Sequence, residues 1–297
     1  MATFAIYTFK FRDIDNKGLF VGQTEKFEPL PTLEDKQRFM QQIFIKDHTG
    51  KEPFLRGADG CDCKTLWESS GFIVLMVSNT KNVTRHQKFR KIKDHDEPWC
   101  HVLIDNRPGR EFIAIEKNGA FSSPDIVANI LQDELRYRFA LHHVEITIKN
   151  QYQPDAFWDI INKHLVNGIR QVAFHFSVPN PPWASELLGN MNEAARSMHA
   201  RPTAIFSSPD NSPLIVDPQN EELRRYVEVC AKEGEDITVK VAGIRARLHV
   251  IDVKDKYVYM VMEENAFKEI VSNSPELFDK EVSLMAGFFD PILKAAE

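Results

Sequence analysis

Residues 100–140 read CHVLIDNRPGREFIAIEKNGAFSSPDIVANILQDELRYRFA. Two apolar segments, 100–104 and 111–116, flank residues 105–110, whose Asp-Asn and Pro-Gly pairs are typical of turns, so a β-hairpin is predicted. Ser123-Pro124-Asp125 then supplies an N-cap, a first-turn proline and a helix-end carboxylate. The helix that follows, 124–140, should be amphipathic and dock on the sheet, because its apolar residues recur every four positions: Val127, Leu131, Leu135 and Phe139.

The chain before this stretch is rich in predicted strands. Residues 2–11 alternate and favour a strand with an aromatic face, while residues 33–45 have helical composition and spacing. Residues 72–79 contain the unbroken apolar run FIVLMV, which is typical of a strand buried on both faces. These patterns predict a strand-rich α+β domain over residues 1–150.

The chain from residue 143 onward alternates between strand and helix patterns. The predicted strands are 143–149, 169–178, 202–207 and segments near 236–242, 246–252 and 256–262; the predicted helices are 154–166, 183–199, 219–233, 264–272 and 280–294. The alternation favours at least one parallel βαβ unit, and the closing strands favour an antiparallel addition. We therefore predict a mixed α/β (α+β) fold with domains at 1–150 and 151–297, separated near Asn150-Gln151-Tyr152-Gln153-Pro154.

Composition and charge indicate the class of protein. The 297 residues are 43% apolar and 27% charged, which is ordinary for a folded protein, and no apolar run approaches the roughly 20 residues that span a bilayer. The start of the chain lacks the order of a secretory signal, and four cysteines do not form a disulfide framework, so a cytoplasmic location is expected.

A basic segment stands out between residues 81 and 93. It holds six basic residues and no acidic one, although the whole chain has a net charge of −6. Together with one interposed ring, these residues form the predicted nucleic-acid-binding set: Lys81, Arg85, Lys88, Phe89, Arg90, Lys91 and Lys93. The segment is predicted as a loop or short helix leaving strand 72–79. The alternative is a solvated loop whose charge is balanced by Asp94, Asp96 and Glu97.

Catalytic and metal sites receive less support. Asp105, Glu116 and Lys117 are residue types found in metal-dependent nucleases. If residues 105 and 111 pair across the hairpin, Glu116 lies opposite Cys100, roughly 17 Å from Asp105, too far to share an ion. The Cys-x-Cys pair at 61–63 lacks a regular zinc-finger spacing, and Gly-rich nucleotide motifs are absent, so neither a metal nor a cofactor is expected.

A family resemblance covers residues 100–180. It rests on the motifs Ile104-Asp105-Asn106-Arg107, Ile113-Ala114-Ile115-Glu116-Lys117-Asn118 with Ala120-Phe121, and Phe174-His175-Phe176 with Pro179-Asn180. These motifs resemble uncharacterised bacterial proteins of phage-defence loci. The resemblance implies a setting and carries over no functional residues.

We therefore expect a component of a bacterial anti-phage defence system that binds nucleic acid or a phage-derived ligand through segment 81–93. Two alternatives stay open. One is a metal-dependent nuclease with carboxylates from distant segments, and the other is a non-catalytic subunit that binds a protein encoded nearby, through the aromatic N-terminal strand or the Phe288-Phe289 helix. The sequence leaves the catalytic status, the oligomeric state, and the choice between DNA and RNA open.

Overall fold

The structure is a computed structural model that describes residues 1–14, 29–45, 61–176, 198, 200–209, 212–272 and 278–294. The predicted helix 183–199 lies outside these ranges, apart from Met198. None of the helices in the described ranges has the length and apolar character needed to cross a membrane.

The fold is mixed α/β, as predicted, and the chain divides into two compact units. The first unit comprises residues 1–148 and 259–297, and the second comprises residues 149–258. The sequence-based domains of 1–150 and 151–297 differ from this division in residues 149–150 and, above all, in residues 259–297. That segment belongs to the first unit because its strand pairs with the N-terminal strand of the chain.

The first unit is built on a seven-stranded sheet. Its strands are β1 (Ala2–Asp13), β2 (Cys63–Ser69), β3 (Phe72–Ser78), β6 (Trp99–Asp105), β7 (Phe112–Glu116), β8 (Val144–Asn150) and β13 (Tyr259–Met262). The order is β13-β1-β7-β6-β3-β2, and β8 also pairs with β1. The predicted β6–β7 hairpin is confirmed by their antiparallel pairing.

Helices cover both faces of this sheet. One face packs against α1 (Leu33–Phe44) and α2 (Pro124–Ala140), whose apolar residues join a single buried cluster with the strands. On the other face lie α5 (Glu264–Val271) and α6 (Phe278–Lys294), where the Phe4 ring makes edge contacts with Phe267 and Phe288.

Helix α2 has the predicted ends and the predicted cap. The Ser123 side chain accepts a hydrogen bond from the backbone N–H of Asp125 at 3.2 Å, and Pro124 occupies the first turn. Leu131 is fully buried, whereas Asn129 on the other side of the helix is exposed. The 3.6-residue period therefore decided which face of this helix enters the core.

The second unit contains these elements: α3 (Asp155–His164), β9 (Ile169–His175), β10 (Thr203–Ser207), α4 (Glu221–Glu233), β11 (Ile237–Val241), β12 (Leu248–His249) and two short 3₁₀ turns at Val250–Asp252 and Lys254–Lys256. Its strands form a four-stranded sheet of order β10-β9-β11-β12. The pairings β10–β9, β9–β11 and β11–β12 are all antiparallel. Because β10 and β11 both run antiparallel to β9, α4 connects two parallel strands that β9 separates. The predicted βαβ unit thus does not join neighbouring strands.

Helix α4 ends at a glycine that the surrounding chain requires. Gly234 has φ 63°, in the left-handed region, and a Cβ there would lie 2.7 Å from the carbonyl oxygen of Asn150. Gly243 has a similar φ of 78°, but a Cβ would meet nothing within 4 Å. The two positions therefore share a conformational requirement and differ in steric space.

Candidate nucleic-acid interface

The basic segment forms a two-stranded β-ribbon, so the prediction of a loop or short helix was wrong. Strand β4 (Lys81–Gln87) pairs antiparallel with β5 (Arg90–Asp96), and we call residues 81–96 the arm. β-Branched residues at 83, 84 and 92 favour strands, whereas the turn at 88–89 lacks the Asn-Gly signal of most tight hairpins. The missing turn signal explains the error.

The arm continues two core strands of the first unit. Ser78 pairs with Trp99 in the sheet, and Lys81 pairs with Asp96 in the arm. Two residues separate these pairs on each of the two strands, so the register is the same in the sheet and in the arm, without a bulge between them. A backbone hydrogen bond of 2.9 Å from Asn79 to Pro98 lies between them. In the described residues no third strand pairs with β4 or β5. Six residue steps at about 3.4 Å give the arm a length of about 20 Å.

The base of the arm is fixed to the loop that follows β7. The Lys81 ammonium donates a hydrogen bond of 2.5 Å to the carbonyl oxygen of Gly119, and the Asn79 side chain donates one of 2.8 Å to that of Ala120. Lys81 is therefore engaged with the protein itself, which weakens its place in the predicted binding set.

The tip of the arm consists of four consecutive exposed residues: Lys88, Phe89, Arg90 and Lys91. The Phe89 ring is fully exposed. Arg85 and Lys93 occupy strand positions opposite Ile92 and Thr84. The structure thus brings four of the seven predicted residues together at one end of the ribbon.

The acidic residues that follow the basic segment lie away from this tip. Asp94 and Asp96 are opposite Val83 and Lys81, in the half of the arm nearest the sheet. Asp94 is four residues from Arg90, or about 14 Å along the strand. Along a strand, successive side chains point to alternate faces of the ribbon. Lys91 and Asp94 are three residues apart on β5, so their side-chain positions fall on opposite faces. The tip is consequently cationic although the whole arm is of mixed charge.

The turn of the arm is strained. Lys88 and Phe89 have φ values of 48° and 65°, both in the left-handed region. A two-residue turn of this kind matches the twist of the strands but favours Asn and Gly, and other residues cost about 1–2 kcal/mol each there. Because the Phe89 ring is fully exposed, burial does not offset this strain. Strain in an exposed aromatic residue is a reason to look for a functional role.

The carboxylates considered for a nuclease are held in separate interactions. Both oxygens of the buried Asp105 carboxylate accept hydrogen bonds from Arg107, at 2.8 and 2.7 Å. Asp105 pairs with Phe112 rather than with residue 111, so the expected register was wrong by one position. Glu111 has φ 42° and lies outside the strand, which explains the shift.

Glu116 lies next to His101 rather than opposite Cys100. Its carboxylate accepts hydrogen bonds from the His101 backbone at 3.0 Å and lies 2.7 Å from the ring Nδ1. Burial raises the pKa of Glu116, but the hydrogen bonds from His101 outweigh it, so the pKa falls below its ordinary value of 4.5. Asp105 and Glu116 are four residues apart across the hairpin, or about 14 Å, which is still too far to hold one ion.

Metal and nucleophile candidates are few in the described ranges. No group of three or more His, Cys, Asp and Glu side chains among these residues could hold a metal ion. Burial, with repulsion from Glu116, raises the pKa of the Cys100 thiol to about 12, which keeps it protonated and unreactive at neutral pH. The His101–Glu116 pair was not anticipated, because it depends on the register.

The second unit contains a cavity of about 340 Å³ that the sequence did not indicate. Its walls are formed mainly by apolar side chains: Val172, Phe206, Leu214, Ile215, Val216, Leu223 and Tyr226. The polar residues at its rim, Asn220 and Glu222, bond to the backbone of Leu223 and to Arg225 within helix α4. The volume suits a small ligand. These walls do not specify a ligand class.

Comparison with protein-family models, curated proteins and solved structures finds no match to this chain. The arm and the cavity therefore have to be assessed from their own geometry and charge. Of the two, the arm presents groups with a definite chemical preference.

Proposed function

We propose that the chain binds nucleic acid through the tip of the arm. The observation that supports this most is the exposure of three cations and one aromatic ring on four consecutive residues, at the end of a ribbon about 20 Å long. Cationic side chains neutralise backbone phosphates, and an exposed ring can stack on a base. A ribbon of this length carries both groups away from the base of the arm at Lys81.

Charge supports a local contact rather than a general coating of nucleic acid. The chain has a net charge of −6, and the basic segment 81–93 carries +6, so the rest carries −12. Phosphates are repelled by most of such a protein and attracted by the arm. Binding of this kind positions the protein through one surface and leaves the others available to partners.

The setting that we propose is bacterial anti-phage defence, with phage nucleic acid as the ligand class. It rests on the resemblance of residues 100–180 to proteins of phage-defence loci. The nuclease alternative, with carboxylates from distant segments, lacks support in the described residues, because no group of three or more of their His, Cys, Asp and Glu side chains could hold a metal ion. We therefore place recognition on the arm and assign no catalytic residues.

The test reverses the charge of the tip and measures binding by fluorescence anisotropy. The triple variant K88E/R90E/K91E should lose most of the affinity for labelled DNA and RNA. The control K163E/K240E/K254E reverses three exposed lysines of the second unit and changes the net charge equally. It should bind as the unmodified protein does.

Salt dependence makes the test quantitative. Three phosphate contacts contribute a slope of about −2.7 in log K against log salt for duplex DNA and about −2.1 for a single strand. A slope of −2.7 corresponds to an affinity loss of about 40-fold between 50 and 200 mM salt. The tip variant should lose this component. An unchanged affinity and slope in K88E/R90E/K91E, or an equal loss in the control, would refute the proposal.

A further inference from the structure

The shape of the arm restricts the kind of nucleic acid that it fits. The arm is a protruding two-stranded ribbon with neighbouring strands about 4.8 Å apart, not a groove or channel. Proteins that bind single strands usually hold them in a positively charged groove. Two-stranded ribbons, by contrast, enter duplex DNA through its major or its minor groove. The shape therefore favours a duplex over a single strand.

The number of rings points the same way. Phe89 is the only Phe, Tyr or Trp between residues 79 and 98. The next exposed Phe, Tyr or Trp after Phe89 along the chain is Trp99 in β6, ten residues away or about 34 Å along an extended strand. Stacking of successive bases needs several rings in series. A single ring at the far end fits insertion at one base step.

The turn holds the ring in a suitable position for insertion. Lys88 and Phe89 are both in the left-handed conformation, which is strained for these residues, and the ring touches no core. The exposed cations Lys88, Arg90 and Lys91 flank it on both sides. Apolar wedges that enter a base step from the minor groove unstack it and kink the duplex by 20–90°. Neighbouring cations can then contact the phosphates beside the kink.

We propose that the arm enters the minor groove of duplex DNA and that Phe89 inserts between two neighbouring base pairs and kinks the helix there. This inference rests on the proposed function, which it makes more specific by naming duplex DNA as the ligand and Phe89 as the wedge. The cations of the tip supply the affinity and its salt dependence. The ring supplies the deformation.

The experiment measures bending and binding separately, on the full chain. A 30-bp duplex of about 102 Å, labelled at both ends with a donor and an acceptor dye, reports the end-to-end distance by energy transfer. A central kink of about 60° would shorten that distance to about 88 Å. A series of duplexes that carry the fluorescent base 2-aminopurine at successive positions reports local unstacking.

Two substitutions at the tip separate the wedge from the charges. F89A removes the ring and should bind about tenfold to a hundredfold more weakly, with an unchanged salt slope, no shortening and no 2-aminopurine signal. F89W keeps a ring and should bend the duplex as the unmodified protein does. Since Phe89 is fully exposed, neither change should disturb folding.

The outcomes distinguish this inference from the proposed function. Binding that depends on Lys88, Arg90 and Lys91 but leaves the duplex straight would overturn the wedge and keep the interface. Bending of the duplex by F89A to the same extent as by the unmodified protein would also overturn the wedge. So would binding of a single strand that is tighter than binding of the duplex of the same sequence and that depends on Phe89. Loss of all dependence on the tip cations would overturn both proposals.

Discussion

Shortening the arm should abolish nucleic-acid binding and leave the first unit folded. The change replaces residues 82–95 by Asn-Gly, so that the Lys81–Asp96 pair is closed by a two-residue turn of the favoured sequence. The new hairpin keeps the register of the core strands, because the sheet and the arm share one register. The perturbation thus removes the interface without introducing a slip in the sheet.

The expected change in stability is small. None of the arm residues whose exposure is described is buried, so little apolar burial is lost. A two-stranded ribbon is marginally stable, and Asn-Gly relieves a turn in which Lys88 and Phe89 each cost about 1–2 kcal/mol. These contributions oppose each other. We expect the free energy of unfolding, measured by urea denaturation, to change by less than about 1 kcal/mol.

The expected change in binding is large. The replacement removes five cationic residues and one acidic residue, and if all five cations contact phosphates of a duplex the salt slope loses about 4.5. Such a slope corresponds to a loss of affinity of about 500-fold between 50 and 200 mM salt. Anisotropy titrations at these two salt concentrations measure it directly. The shortened protein should show only weak binding, with little response to salt.

A second deletion provides a matched control. Removing residues 82, 83, 94 and 95 deletes two complete register pairs, preserves the alternation of the faces and keeps all five cationic residues that the replacement of 82–95 removes. This protein keeps the tip and should keep binding. Two results would refute the reasoning: a loss of about 3 kcal/mol or more on replacing 82–95, or retention of the original affinity and slope.

Three further predictions concern the fold. Leu131→Asp buries an unpaired carboxylate and should lower the free energy of unfolding, measured by urea denaturation, by roughly 3 kcal/mol or more. The control Asn129→Asp, at an exposed position of the same helix, should change it by less than about 0.5 kcal/mol, and equal effects would contradict the packing of α2. Glu116→Gln should lower the melting temperature above pH 4.5, and the difference from the unmodified protein should shrink as the pH falls below 4.5. The reason is that a carboxyl whose pKa is depressed by folding stabilises the folded state only while it is ionised. A difference in melting temperature that does not vary with pH would contradict this. Gly234→Ala should lower the free energy of unfolding by about 2–4 kcal/mol and Gly243→Ala by about 1 kcal/mol. Both substitutions place alanine at a positive φ, but only the Cβ at position 234 would also clash with the carbonyl oxygen of Asn150. Equal losses of stability would contradict this close approach.

Local signals in the sequence were sufficient for the elements that depend on neighbouring residues. The N-cap at Ser123, the proline after it and the 3.6-residue period predicted α2 with its ends. The Asp-Asn and Pro-Gly pairs between two apolar segments predicted the β6–β7 hairpin. Within the hairpin the register was wrong by one residue, because nothing in the sequence marks Glu111 as left-handed.

The candidate site was found in the sequence by its charge, but its shape was not. The run of basic residues at 81–93 identified the surface, since charge is a property of composition. Its ribbon form was missed because Lys88-Phe89 lacks the turn residues that most tight hairpins use. The pairing of Glu116 with His101 could not be predicted without the correct register.

Composition and local pattern by themselves determined the α/β class, the face of α2 that is buried and the position of the basic surface. Tertiary structure alone decided that β13 pairs with β1, that β9 lies between β10 and β11, and that the arm keeps the register of β3 and β6. Strands pair through backbone N–H and C=O groups, which nearly every residue carries. The pattern of side chains therefore indicates which segments form strands, but it says much less about which strands pair with each other.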